Sequence, residues 1–231
     1  MMTSPTFFAV VSNMLLSPNL AWQQLREKSL IAPALLLQIV LTSAAIYLFY
    51  SGMSAEWLVE QQLLQAGDLT PAETEQARAM MAQTAAYTPI IGVVSVVVMS
   101  LLMHAIFAGY YHLIGKMAGN FNYSQWFAAS VWSQMPLLLN MTGLMLLTLL
   151  ADNPNLPLST ANYASVNQLL LQLPSSHAYF FLTENLNLFY FWQVALLTLA
   201  FRQWCQFSLT KALLLAALPL VLIFGTWALL I

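Results

Sequence analysis

Charged side chains are scarce in this 231-residue chain, with six Lys or Arg and eight Asp or Glu residues, or 6% of the total. A soluble domain carries about 25% charged residues, because its surface has to stay hydrated. Hydrophobic residues instead make up 60% of the chain, and the mean hydropathy is +0.73. The shortage of charge excludes an ordinary soluble domain and predicts that lipid solvates much of the surface.

Several kinds of site are also excluded by what the sequence lacks. The formal net charge is −2 and no stretch concentrates Lys or Arg, which excludes a nucleic-acid-binding surface. The single cysteine, Cys205, excludes an internal disulfide and a cysteine-based metal site. No HExxH, phosphate-loop or serine-triad pattern is present. We therefore predict no catalytic residue, no metal, no cofactor and no enzymatic activity.

Long charge-free stretches separate the few charged residues, and a membrane-spanning helix needs about 20 mostly apolar residues. These stretches predict an all-α integral membrane protein built as a bundle of five transmembrane helices. The fourth is the most polar, because it carries Asn185, Asn187 and Gln193. The five predicted spans are residues 30–50, 89–114, 126–150, 185–203 and 211–231.

The Lys and Arg residues predict the orientation, because short connections rich in them stay in the cytoplasm. With the N-terminus inside, five of the six Lys and Arg residues are cytoplasmic, and only Arg78 is external. Without the fourth span, Arg202 and Lys211 would move outside, and the two sides would carry equal numbers. We therefore predict a cytoplasmic N-terminus and an external C-terminus.

The segment before the first span, residues 1–29, contains apolar residues on both sides of Pro18. This pattern predicts two short helices lying at the cytoplasmic interface. A partly ordered tail packed on the bundle is the alternative.

The two outer connections differ in character. Residues 51–86 predict a helix over 56–65, a turn at Gly67-Asp68 and a second helix that begins at Thr70-Pro71-Ala72-Glu73, a sequence that suits a capped helix start. Residues 151–184 are rich in Pro, Asn and Ser. They predict an irregular loop, in which 165–173 could form a short helix.

A few polar residues fall inside the predicted spans, where unpaired polar groups are costly. None of them is Asp, Glu, Lys or Arg at the middle of a span, and this absence makes an ion-coupled transporter a weaker hypothesis. Hydrogen bonds between helices explain them better than ligand binding. His104 and His112 point about 80° apart on one helix, so no shared metal is expected. The candidate intramembrane polar residues are His104, Gln134, Asn140 and Gln193.

Small residues mark the end of the second span and the turn after it. Gly115 and Gly119 form a GxxxG pattern, and Ala105 precedes Gly109 by four residues. Small residues at this spacing let helices approach closely. Pro136 and Pro219 are expected to kink their helices. The candidate packing or interaction residues are Gly109, Tyr110, His112, Gly115, Lys116, Gly119 and Pro136.

The same region carries a family resemblance. The stretch Ala105-Ile-Phe-Ala-Gly-Tyr-Tyr-His-Leu-Ile-Gly-Lys-Met-Ala-Gly119, then Tyr123-Ser-Gln-Trp126 and Gln134-Met-Pro136, resembles the Yip1 domain family in its bacterial branch. Residues 17–33 and 201–212 fit the same pattern. The resemblance implies five spans, a cytoplasmic N-terminus and the bacterial inner membrane. Eukaryotic members are linked to Rab GTPases and vesicle traffic, but their Asp-Leu-Tyr-Gly-Pro motif is absent here.

Three functions stay open at this point. The first is a non-enzymatic membrane protein that acts in membrane organisation, with the lipid bilayer, a second copy of the chain or other membrane proteins as partners. The second is a transporter of a small solute or lipid. The third, a membrane enzyme, would need a convergent polar site that the sequence does not display.

Overall fold

The structure, a computed structural model, describes residues 6–66, 69–119 and 121–231. The turn predicted at Gly67-Asp68 lies outside the described residues. Helices dominate the described part, which contains no strand beyond an isolated bridge between Ser165 and Asn187. The helices are α1 (Phe7–Leu16), α2 (Pro18–Glu27), α3 (Ile31–Ser51), α4 (Ala55–Gln65), α5 (Pro71–Thr84), α6 (Thr88–Gly115), α7 (Tyr123–Ser133), α8 (Pro136–Leu149), α9 (Phe180–Asn185), α10 (Phe189–Cys205) and α11 (Leu209–Leu230).

Three helical stretches in the described part are long and apolar enough to cross a membrane: Ile31–Ser51, Pro71–Gly115 and Leu209–Leu230. The protein is therefore a helical membrane protein. The other two predicted spans form shorter helices. Helix α10 has 17 residues, and the predicted third span is divided between α7 and α8, with 11 and 14 residues.

The division of the third apolar segment follows from Pro136. Proline has no backbone N–H and disfavours helical backbone in the residue before it. The last turn of α7 accordingly tightens, because the Met135 N–H donates to the carbonyl of Trp132 at 3.3 Å instead of reaching Val131. A kink was predicted at Pro136; the structure has a complete break between two helices.

Pro219 has a different outcome, because α11 continues unbroken from Leu209 to Leu230 around it. The missing N–H of Pro219 would have bonded to the carbonyl of Leu215, four residues earlier. The Tyr110 hydroxyl of α6 donates to that carbonyl at 2.8 Å. A neighbouring helix thus replaces the hydrogen bond that proline removes, as is common in membrane helices.

The chain divides into two compact units. The first unit consists of the chain up to Val40, Val98–Leu139 and Leu188–Leu230. Its core is strongly aromatic and includes Trp22, Trp126, Trp132, Phe201 and Trp204. The Trp126 ring lies 5.3 Å from Trp204 and 5.4 Å from Phe201, centroid to centroid.

Within the first unit, α1 and α2 form a helical pair. Asn13 on α1 donates to the side-chain oxygen of Gln24 on α2 at 3.1 Å. The pair is held by α10, where the Trp204 indole N–H donates to the Trp22 carbonyl at 3.1 Å. The structure therefore has two helices in the N-terminal segment, and both contribute buried residues to the core of the first unit.

The second unit consists mainly of Leu41–Val97 and Asn140–Asn187. Its helix α5 begins with a capping box, in which the Thr70 N–H donates to the Glu73 carboxylate at 2.8 Å. Arg78 on α5 pairs with Glu60 on α4, and this donation holds the pKa of the Glu60 carboxyl below its usual value. The residues predicted as a helix at 165–173 form only a π-helical turn at Asn167–Leu171.

Candidate functional site: a buried polar cluster at the broken helix

Four polar side chains of the first unit meet beside the end of α7. Gln38 comes from α3, His104 from α6, Ser130 from α7, and Gln134 from the turn between α7 and α8. His104 is 1% exposed and Ser130 is fully buried. We call these four residues the polar cluster.

The hydrogen bonds of the polar cluster determine the tautomer of His104. The Gln38 amide nitrogen donates to the Val131 carbonyl at 2.6 Å, so the Gln38 amide oxygen faces His104 as an acceptor. His104 Nε2 lies 3.0 Å from that oxygen and must carry the proton. His104 Nδ1 is then an acceptor, which suits the Ser130 hydroxyl at 3.0 Å and the Gln134 amide nitrogen at 3.4 Å.

The polar cluster also forms a hydrogen bond with the backbone at the break. In an uninterrupted helix, the carbonyl of Val131 would accept from the N–H of Met135. That N–H turns to Trp132 instead, and the Gln38 amide takes a place on the Val131 carbonyl. The Gln134 N–H also donates to that carbonyl, at 3.2 Å, so Gln38 supplies a second donor and joins α3 to the broken end of α7.

The chemistry available to the polar cluster is limited. Ser130, His104 and Gln38 follow one another as a hydroxyl, an imidazole and an orienting amide, which is the order of a hydrolytic triad. However, the orienting group is a neutral amide, and neither Ser130 nor His104 presents an exposed surface to a substrate. The arrangement is suited to joining α3, α6 and α7 through hydrogen bonds.

The other two predicted intramembrane polar residues lie elsewhere. Asn140 is in the second unit, where its carbonyl accepts from the Tyr163 hydroxyl at 3.1 Å. Its side-chain oxygen is buried without a hydrogen-bond partner among the described residues. Gly143 makes room for Tyr163, because a Cβ at this position would overlap the Tyr163 hydroxyl. Gln193 is half-buried on α10 and is not one of the residues that bond to His104.

The glycines of the predicted packing motif have different surroundings. A Cβ on Gly115 would collide with the indole of Trp126 in the same chain, and one on Gly119 would lie 3.7 Å from the Phe121 ring. Gly109, by contrast, has nothing within 4 Å of its Cβ position. The GxxxG pattern is therefore used within the chain at Gly115, whereas Gly109 is open to the outside.

The remaining candidates lie at separate places in the first unit. Tyr110 bonds to α11 as described above. The ring of His112 meets the ring of Tyr123 edge-on at 6.1 Å, and its Nδ1 has no hydrogen-bond partner among the described residues. Lys116 is exposed, and Pro136 opens α8.

Sequence reasoning missed two members of the polar cluster, Gln38 and Ser130. Gln38 is the only amide side chain in α3, and a lone amide in an apolar helix is a usable signal for a hydrogen bond between helices. Ser130 gave no comparable signal, because serine is common in membrane helices and can bond to its own backbone.

The family model of the Yip1 domain matches residues 12–230, which is nearly the whole chain. The chain belongs to the Yip1 domain family. The resemblance seen around residues 105–136 is thereby confirmed. No curated protein and no solved structure shows a significant match. In this Yip1 protein, the matched range includes the polar cluster, the Tyr110 contact to α11 and the second half of α1.

Proposed function

We propose that this Yip1-type membrane protein is non-enzymatic and acts in membrane organisation by associating with lipid and with other membrane proteins, including a second copy of itself. The observation that carries the proposal is a contrast within the first unit. Its intramembrane polar groups at His104 bond to one another and are buried. The exposed face of α6 is apolar and includes Gly109, which is open to a neighbour.

The exposed face of α6 has the composition of a helix-association surface. Leu102, Ile106 and Leu113 are exposed around Gly109 and follow the three- and four-residue spacing of one helix face. Ala105 lies four residues before Gly109. Small residues at this spacing allow the backbones of two membrane helices to approach.

A dilution experiment in lipid vesicles tests this association. Donor- and acceptor-labelled full-length protein should show energy transfer that falls as lipid is added, and Gly109→Leu should lower it at every dilution. Gly225→Leu is the matched control, because Gly225 is also open but has Val221 and Leu229 four residues away. Transfer that is absent in the parent protein, or equal in both variants, would contradict self-association through α6.

The topology belongs to the proposal as well. We propose five spans in the bacterial inner membrane, with α7 and α8 together forming the third span and α10 the fourth. The cytoplasmic side then carries the N-terminus, and the external side carries the C-terminus. Reporter fusions after Arg202 should be active only in the cytoplasm, and fusions at Ile231 only outside. If both reporters lay on the same side of the membrane, α11 would not cross it, and the fifth span would be rejected.

The broken third helix favours a second candidate function, the movement of a small solute or lipid. A break beside buried polar groups is a feature of transporters, and His104 lies beside this one. Reconstituted vesicles that move a labelled lipid or solute, with a loss of movement in His104→Leu, would support transport. If vesicles that contain correctly folded protein move neither lipid nor solute, transport would be rejected and association would remain as the proposed function.

A further inference from the structure

The two compact units carry opposite charges. The first unit has five Lys or Arg side chains and one carboxylate, Glu27, whereas the second has Arg78 and seven carboxylates. Both ion pairs found in the described residues involve Arg78 of the second unit, so carboxylates do not neutralise the positive charge of the first unit. The five cationic side chains of the first unit are all exposed: Arg26, Lys28, Lys116, Arg202 and Lys211.

These cations lie where helices of the first unit end or begin. Arg26 is in the last turn of α2, and its guanidinium carbon lies 5.5 Å from the ring centre of Phe121. Phe121 belongs to the connection between α6 and α7, which also carries Lys116. At the other end of α2, Asn19 accepts from Gln203 in the last turn of α10 at 2.8 Å. Helix α2 therefore lies across the ends of α6 and α10, with Arg26 at the connection that carries Lys116.

Phe121 fixes the position of the Arg26 guanidinium. Its ring stacks on the indole of Trp204, with the centroids 5.6 Å apart and the planes at 14°. A cation above an aromatic ring is oriented by the ring but keeps its charge. Glu27 follows Arg26 in the sequence but forms no ion pair with it in the part of the chain that the structure describes. The guanidinium is therefore held with its charge available, and its fork of N–H groups matches two oxygens of a phosphate group.

The surface beside Lys116 is apolar. Leu113, in the last turn of α6, is 65% exposed, and Met117, just beyond the helix, is 69% exposed. A site for free phosphate has no need of exposed apolar neighbours. A phospholipid presents a phosphate group and acyl chains together, and anionic headgroups are attracted to Lys and Arg residues beside membrane helices. The combination of cations and apolar side chains therefore favours a lipid as the ligand.

We propose that Arg26, Lys28 and Lys116 form a binding site for the phosphate of an anionic phospholipid, whose acyl chains lie along Leu113 and Met117. Arg26 provides the bidentate contact, and the two lysines add positive charge. The inference rests on the lipid association in the proposed function and names the class of lipid. It does not depend on self-association through α6.

Lipid titration followed by native mass spectrometry tests this site. Full-length protein in a neutral detergent is mixed with increasing dioleoylphosphatidylglycerol, which is anionic, or dioleoylphosphatidylethanolamine, which is zwitterionic. The protein should bind the anionic lipid more tightly. Arg26→Gln and Lys116→Gln should each lower that affinity by about fivefold, which is the contribution of one cation near an anionic lipid surface. Arg78→Gln is the matched control, because it removes the same charge from the second unit, and it should leave the affinity unchanged.

Arg26→Lys separates a defined phosphate site from a diffuse attraction between charges. Lysine keeps the positive charge but lacks the planar fork, so the affinity for phosphatidylglycerol should fall by about twofold or more. An affinity equal to that of the parent protein would overturn the site at Arg26. Equal losses in Arg26→Gln and Arg78→Gln would overturn it too, because only the overall charge would then matter. An unchanged elution profile and thermal midpoint would show that each variant folds. If the Arg26 variants did not fold, Lys116→Gln, which changes an exposed side chain in a turn, would decide the matter.

Two further results identify the ligand and separate this inference from the proposed function. Excess inorganic phosphate should not displace the bound lipid; displacement would assign the site to free phosphate and overturn the lipid inference. Equal affinity for both lipids, with energy transfer retained between labelled copies in vesicles, would reject this site and leave protein association intact. A preference for phosphatidylglycerol without energy transfer would support the site and reject self-association instead.

Discussion

The substitution Tyr110→Phe tests whether α6 supplies the hydrogen bond that Pro219 removes from α11. It deletes only the hydroxyl that donates to the Leu215 carbonyl at 2.8 Å and keeps the ring. Removing one partner of a hydrogen bond so that a buried carbonyl is left unpaired costs about 1 to 3 kcal/mol. We therefore expect the free energy of unfolding to fall by about 2 kcal/mol.

The assay is reversible unfolding in mixed micelles with increasing sodium dodecyl sulfate, followed by tryptophan fluorescence. Pro219→Ala supplies the decisive background, because alanine restores an N–H to the carbonyl of Leu215. In that background, Tyr110→Phe should cost less than about 0.5 kcal/mol, since only a second, supplementary bond is lost. An equal cost in both backgrounds would refute the reasoning.

Tyr123→Phe is the matched control. The Tyr123 hydroxyl also donates to a carbonyl of α6, that of Ala105, at 2.9 Å. Ala105 lies within α6 and has the N–H of Gly109 as its regular helical partner. Its carbonyl is not left unpaired, so we expect this variant to lose well under 1 kcal/mol in the same titration.

Three further predictions concern other contacts. His104→Leu should lower the free energy of unfolding by about 2 to 3 kcal/mol, because its buried partners lose their hydrogen bonds; a cost near zero in the detergent titration would contradict this. Gly143→Ala should destabilise the protein by about 1 to 3 kcal/mol through overlap with the Tyr163 hydroxyl, and Tyr163→Ala should recover part of that loss. Glu60 has a lowered pKa in the folded state, so its contribution is present above the unfolded value of 4.5 and is lost as the pH falls through the lower folded value. The protection factors of amides in α4 and α5, which correct for the intrinsic exchange rate, should fall over that range. Arg78→Gln should reduce this dependence and leave the part due to Glu73, whose pKa is lowered by its hydrogen bonds with Thr70.

The long helices could be predicted because their signals are local. Hydropathy over about 20 residues is enough to locate α3 and α11. The start of α5 at Pro71 was equally accessible, because Thr70 and Glu73 act across three residues. The length and continuity of the helix at Pro136 were not accessible, since they depend on whether a neighbour pairs the released carbonyls.

The polar cluster could be predicted only in part. His104 and Gln134 were conspicuous as polar residues in apolar spans. Their partners, Gln38 and Ser130, are 66 and 26 residues from His104, and which helix faces meet depends on packing between segments that are distant in the sequence. The sequence showed that partners were required without showing which ones.

The glycine pattern shows a second limit on what can be predicted from the sequence. A GxxxG sequence indicates a groove in a helix but does not identify what fills it. In this structure the indole of Trp126 lies against Gly115, eleven residues along the same chain. The sequence could not distinguish this use from contact with another molecule, whereas the space around Gly109 can be seen only in three dimensions.

Apart from side-chain pairs such as Asn13–Gln24 and His104–Gln38, six hydrogen bonds that join elements share one feature, which is that a side chain donates to a backbone carbonyl. The acceptors are the carbonyls of Trp22, Ser29, Val131, Asn140, Leu156 and Leu215. Every amino acid carries such a carbonyl, so the acceptor position can mutate without losing the bond. Only the donor side of each junction depends on residue type. Two chains of this design can therefore share their junctions and still have little sequence identity, and a search for relatives should weight the donor positions most heavily.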